Sequence, residues 1–144
     1  MGKSEVLAYA LSLLARRALS RARLREKLLA RFAPEAVEGA LVRLEELGYL
    51  DDRAFAETFV ASRRKYGPLK LRRLLLAQGV PEEVVAAVLA EMGEEAALEA
   101  AVKALRRYPR RRDQAKAVRF LQGRGFPLGV ALQAFRLVKE EESG

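Results

Sequence analysis

The 144-residue chain contains no cysteine, no histidine and no tryptophan. Without cysteine there are no disulfides, no thiol nucleophile and no thiolate metal site. Without histidine the commonest general base and metal ligand is missing. Only Asp, Glu, Lys and Tyr remain for chemistry. No glycine-rich phosphate loop and no nucleophile elbow occurs. The segment "GPLKLRRLL" reads as a Gly-Pro turn followed by a basic helix. No apolar run approaches the ~20 residues that span a bilayer. The N-terminal "MGKSEVLAYALSLLARR" carries Glu5 and lacks a cleavage site, so it reads as a helix and not as a secretory leader. These absences predict no catalytic residues, no cofactor, no metal, no membrane contact and a cytoplasmic location. Tyr9, Tyr49, Tyr66 and Tyr108 are too far apart to suggest one stacking platform, and read as packing residues.

What the chain has in quantity is positive charge and helix formers. Lys and Arg number 27 against 19 Asp and Glu, a formal net charge of +8. Such a balance favours an acidic partner, whether nucleic acid, a nucleoprotein or an acidic protein face; the plainer alternative is solubility. Ala, Leu, Glu and Arg dominate and strand signals are absent. Apolar residues recur at the helical period, as in Leu7, Leu11, Leu14 and Ala18, and in Leu24, Leu28 and Phe32.

A longer period lies over the helical one. Pro34, Pro81 and Pro127 are 47 and 46 residues apart. Leu28, Leu75 and Leu121 keep the same two spacings, as do Leu24, Leu71 and Ala117. A period of this length marks a helical repeat. Each unit reads as three helices: about 4–18, 20–32 and 34–47; then 52–66, 68–78 and 81–92; then 94–108, 111–123 and 127–141. The prolines fall early in helices, where a missing N–H costs nothing. Gly48, Gly79, Gly93 and Gly125 stand where helices should stop. The expected fold is all-α: a tandem array of three three-helix repeats, 1–48, 49–93 and 94–144, elongated and curved.

The stretch "GYLDDRAFAETFVASRRKYG" places Asp51 and Asp52 side by side. One of them falls at the N-cap of the helix that follows, where a carboxylate accepts a free backbone N–H and faces the positive helix end. A metal pair is disfavoured because no further ligand lies nearby. Leu50, Phe55 and Phe59 are then core residues. Tyr49 could pack between the first two repeats, and Arg63-Arg64-Lys65 would close the helix in its last turn.

Charge is uneven within a repeat. The first second-helix carries Arg21, Arg23, Arg25, Lys27 and Arg31 against Glu26; the next carries Lys70, Arg72 and Arg73 with no acid. The third carries Arg110, Arg111, Arg112, Lys116, Arg119 and Arg124 against Asp113. The third helices of the first two repeats are acidic, with Glu35, Glu38, Glu45 and Glu46 in one and Glu82, Glu83 and Glu91 in the other. That sign disfavours a helix-turn-helix whose later helix enters a DNA groove. A recurrent basic stripe fits better. Its centre would be Arg63, Arg64, Lys65, Lys70, Arg72 and Arg73, extended by Arg16, Arg17, Arg21 and Arg25 on one side and by Arg110, Arg111 and Arg112 on the other. The competing reading is that these cations pair with the acidic third helices and complement helix dipoles.

Three stretches resemble a known family. Ser20 through Leu28, "SRARLREKL", is similar to the "S-x-x-E-L-x-x-K-L" segment of the RecX family, with Arg23 where an acidic residue is common. Leu44 through Asp52, "LEELGYLDD", resembles its "L-x-x-x-G-Y-[IL]-[DN]-D" stretch, with Phe55-Ala56 following at the family spacing. Arg63 through Leu75 resembles "R-x-x-x-G-P-x-x-[IL]-x-x-x-L". The resemblance covers residues 5–92 well; in the third repeat the helical pattern and Pro127 carry it. It implies tandem three-helix repeats in a bacterial regulator that binds the filament of RecA on single-stranded DNA. Such a regulator inhibits the recombinase's strand-exchange, ATPase and coprotease activities and has no turnover of its own. The expected partner is that filament, with weak direct DNA binding by a monomeric chain. The alternatives are a helical-repeat protein that binds nucleic acid directly and a structural adaptor.

Overall fold

The computed structural model describes residues 3–144, and all regular structure among them is helical. The helices are α1 (Lys3–Arg16), α2 (Arg21–Leu29), α3 (Pro34–Glu46), α4 (Asp52–Ala61), α5 (Pro68–Ala77), α6 (Glu82–Arg106), α7 (Gln114–Gly123) and α8 (Leu128–Ser143). Gly93 interrupts α6 with φ 74° and ψ 164°, so α6 is two helices joined end to end. With that break the order is three helices, three times over.

The 46–47-residue period marks equivalent buried positions. Leu28, Leu75 and Leu121 are each 0% exposed, and so are Leu24, Leu71 and Ala117. Burying one leucine stabilises by about 1.5–3 kcal/mol. The N-termini of the three second helices also fall on the period, and each is satisfied locally. Ser20 Oγ accepts the Arg23 amide at 3.1 Å, and the Asp113 carboxylate accepts the Lys116 amide at 3.1 Å. At the middle position Gly67 precedes Pro68, which has no N–H and so needs no acceptor at N1.

Two compact units hold the chain: Met1–Thr58 with Leu75–Val85, and Phe59–Leu74 with Ala86–Gly144. Helices α4, α5 and α6 thus contribute to both. In the first unit, Val6, Ala10, Leu24, Leu28, Val37, Leu41 and Leu44 form the core of α1–α3. The turn after α5 docks on the start of α2. Ser20 Oγ donates to the Gln78 carbonyl at 2.6 Å, and Arg23 donates to the Ala77 carbonyl at 3.1 Å. A Cβ on Gly79 would collide with the Ala22 Cβ.

In the second unit, Val102, Leu105, Leu121, Phe126, Phe135 and Val138 fill the space among the latter half of α6, α7 and α8. The same docking recurs one repeat later: the Gly67 amide donates to the Arg124 carbonyl at 2.7 Å and the Leu69 amide to the Gly125 carbonyl at 3.0 Å. Gln78 and Arg124 are 46 residues apart, Ser20 and Gly67 are 47 apart, so the two junctions are one joint used twice.

Several expectations are corrected. On α1 the buried residues are Val6 and Ala10; Leu7 and Leu14 are only partly buried, Leu11 is 37% exposed and Ala18 lies beyond the helix. Tyr49 is 60% exposed and not packed away. Helix α4 ends at Ala61, so Arg63, Arg64 and Lys65 sit in the turn between α4 and α5. Arg110–Arg112 likewise occupy a turn before α7. Pro81 and Pro127 each stand just before their helix, whereas Pro34 is its first residue.

Candidate functional site

The acidic pair is structural in both members, and each caps a different helix. Asp51 Oδ1 accepts the Arg53 amide at 2.9 Å and the Ala54 amide at 3.1 Å, which caps α4. Asp52 turns the other way: its Oδ1 accepts the Arg21 amide, the first of α2, at 2.8 Å. Helix α2 therefore has two of its four free amides satisfied from outside, by Ser20 and by Asp52. Among the described residues no group of three or more carboxylates is arranged to hold a metal ion.

The basic residues fall into two electrostatic classes. In the first unit Arg21 pairs with Glu38 at 3.5 Å and Glu45 at 3.1 Å, and Arg25 pairs with Glu38 at 2.5 Å. Both acids belong to α3, the acidic third helix of that repeat. The Arg25 hydrogen bond, with Arg21 beside it, holds the Glu38 carboxyl below the ordinary glutamate range. Arg16 and Arg17, at the end of α1, are exposed.

In the second unit the C-terminal turn of α8 plays the same part. Arg111 and Arg112 reach Glu142 at 2.5 and 3.1 Å, and Arg106 reaches Glu141 through two hydrogen bonds. The hydrogen bonds from Arg111 and Arg106 hold Glu142 and Glu141 below the ordinary range, and Glu141 raises Arg106 in turn. Arg110 is exposed in the same turn.

The second class lies around the α4–α5 turn, also in the second unit. Lys65 and Lys70 both stand over the ring of Tyr66, at 5.4 and 4.1 Å from its centroid. Arg63 stacks on Phe59 at 3.6 Å. Arg64 donates to the Ala61 carbonyl, at 3.3 Å. Among the described residues no carboxylate lies within 4.0 Å of Arg64, Lys65, Lys70 or Arg73. Arg72 and Arg73 are exposed on α5.

Arg64 and Lys65 open onto a groove of about 530 Å³ whose remaining cations are Lys103, Arg107 and Arg124. Its aromatic wall is Tyr108 and Phe120, stacked with centroids 4.2 Å apart and planes 6° from parallel. Sequence reasoning did not place these three cations at a site. The available signal was the i, i+4 spacing of Lys103 and Arg107, which puts both on one helix face.

An all-α protein of three tandem three-helix domains, with helix-capping acids and cationic turns, is the class these features define. The comparisons narrow it. Residues 7–44 match the first three-helix domain of RecX, 51–89 the second and 91–135 the third. The chain is 63% identical over 142 residues to the regulatory protein RecX of Thermus thermophilus, covering 98% of this chain and 97% of that one. It is 40% identical to the RecX of Chlorobaculum tepidum, covering 98% and 92%. A crystal structure of RecX from Lactobacillus salivarius superposes with a TM-score of 0.86 at 18% identity, covering 95% of this chain and 96% of that one. The chain belongs to the RecX family. No helix among the described residues is long and apolar enough to cross a membrane.

Proposed function

We propose that this chain regulates the RecA recombinase by binding the RecA filament on single-stranded DNA, lowering its ATPase, strand-exchange and coprotease activities without catalysis of its own. Membership of the RecX family along the whole chain is the observation that carries this reading. The net charge of +8 and the acid-free cations around the α4–α5 turn suit a polyanionic assembly. In this reading the protein works as a monomer in the cytoplasm, its three repeats are 1–48, 49–93 and 94–144, and the cationic residues of the α4–α5 turn belong to the binding face.

A titration tests it. Added to RecA on single-stranded DNA, the purified chain should lower the steady-state ATPase in a saturable manner while hydrolysing no ATP alone. An unchanged RecA rate at saturating chain concentration would remove the proposal.

A further inference from the structure

The groove of the second unit differs from the two arginine clusters that pair with α3 and with the end of α8. It gathers Arg64, Lys65, Lys103, Arg107 and Arg124, and no carboxylate lines it. The Arg21–Arg25 cluster and the Arg111–Arg112 cluster each carry their own acids. Five like charges around one concavity repel one another, and a polyanion relieves that repulsion. The groove also has an aromatic wall. Tyr108 stacks on Phe120, and the Arg124 guanidinium lies 4.8 Å from the Phe120 centroid.

We infer that this groove binds the phosphodiester backbone of single-stranded DNA. The inference rests on the filament reading and deepens it, because it assigns the DNA share of the contact to named residues. Three properties favour a nucleic-acid strand over an acidic protein face. A strand is narrow and flexible enough to enter a concavity, whereas a protein's carboxylates stand on a convex surface. It carries a charge at every nucleotide, matching a cluster that has no acid to spare. Its bases have π-faces that an aromatic and guanidinium wall accommodates, the usual construction of single-strand sites. The acid-paired arginines Arg21, Arg25, Arg111 and Arg112 must first break their own ion pairs, so they add little to DNA affinity.

The test compares the wild-type chain with a Lys103→Gln, Arg107→Gln double variant and with Arg136→Gln, Lys139→Gln, which changes the net charge equally on α8. Melting curves establish that all three fold. Binding to a fluorescent oligothymidylate is measured between about 50 and 200 mM salt, where each lost phosphate contact reduces the log–log salt slope by about 0.7. The groove variant should lose about 1.4 of slope, and weaken binding to the RecA–DNA filament in parallel. The α8 variant should keep the wild-type slope. Two outcomes overturn the inference: an unchanged DNA slope in the groove variant, or filament binding that weakens while DNA binding does not, which would assign the groove to acidic side chains of the recombinase. Failure of the wild-type chain to bind the filament, with the DNA slope difference intact, would remove the filament reading and leave the groove assignment standing.

Discussion

Asp51 and Asp52 are neighbours in sequence that stabilise different helices, and substitution separates them. Asp52→Ala removes an ionised acceptor 2.8 Å from the Arg21 amide, at the positive end of α2. A hydrogen bond to a charged group contributes about 1.5–3 kcal/mol net. Asp51→Ala removes an N-cap that holds two amides of α4, at a cost of about 0.5–2 kcal/mol. For a chain of this size the unfolding entropy makes 1 kcal/mol worth about 3 °C in Tm. Asp52→Ala should therefore lower Tm by about 5–10 °C and Asp51→Ala by about 2–6 °C. Amide exchange followed by NMR separates the two directly. Asp52→Ala should speed exchange at Arg21 at the start of α2, whereas Asp51→Ala should do so at Arg53 and Ala54. Asp52→Asn, which keeps an acceptor and drops the charge, should fall between wild type and alanine. An Arg21 amide as protected in Asp52→Ala as in wild type would refute the division of labour. So would a large rise of the wild-type Tm with magnesium, since that would make the pair a cation site.

Other substitutions probe the rest of the frame. Ser20→Ala removes the one buried polar side chain among the described residues, a hydroxyl that both caps α2 and donates to the Gln78 carbonyl. It should cost about 1–3 kcal/mol in denaturant unfolding, and a neutral result would deny the joint between α2 and the turn after α5. At Gly93→Ala no atom lies within 4 Å of the new methyl, so the whole cost is the backbone at φ 74° and ψ 164°, about 1–3 kcal/mol. Gly93→Asn should be no better, because this region admits essentially glycine alone. Glu142, held low by Arg111 and Arg112, contributes stability that is fully present above the ordinary glutamate range and is lost as pH falls through its lowered value. Glu142→Gln should thus be destabilising at neutral pH and should shrink the wild-type difference on acidification; a gap that widens toward low pH would contradict the ion pair.

Much of the fold was legible because the repeat must bury the same face each time. Leu24 and Leu28, Leu71 and Leu75, and Ala117 and Leu121 meet the same requirement at a fixed spacing, and the four glycines expected to stop helices all have positive φ. Helix α1 misled because "VLAYALSLLA" is apolar on more than one face. The small Ala10 takes the buried position, and the larger Leu11 is left at the surface. The stretches after Ala61 and before Gln114 read as helix because Arg and Lys are good helix formers. In the structure their chain must turn to bring Gly67 against Arg124, and tertiary docking overrides propensity there. The basic stripe was legible as charge but not as partnership. Which arginines meet an acid depends on α3 and α8 folding back over α2 and over the Arg110–Arg112 turn. The groove was hidden because Lys103 and Arg107 follow the acidic "GEEAALEAA", and three separate segments supply its cations.

The central claim, a regulator that recognises recombinase and DNA together, is tested most directly by one binding measurement at matched salt. Labelled chain is titrated with RecA assembled on single-stranded DNA, with the same DNA alone and with RecA alone. The account predicts affinity for the filament at least about tenfold above either component, a difference of ~1.4 kcal/mol. Filament binding no tighter than binding to bare DNA would contradict it and make the chain a nucleic-acid-binding repeat protein instead.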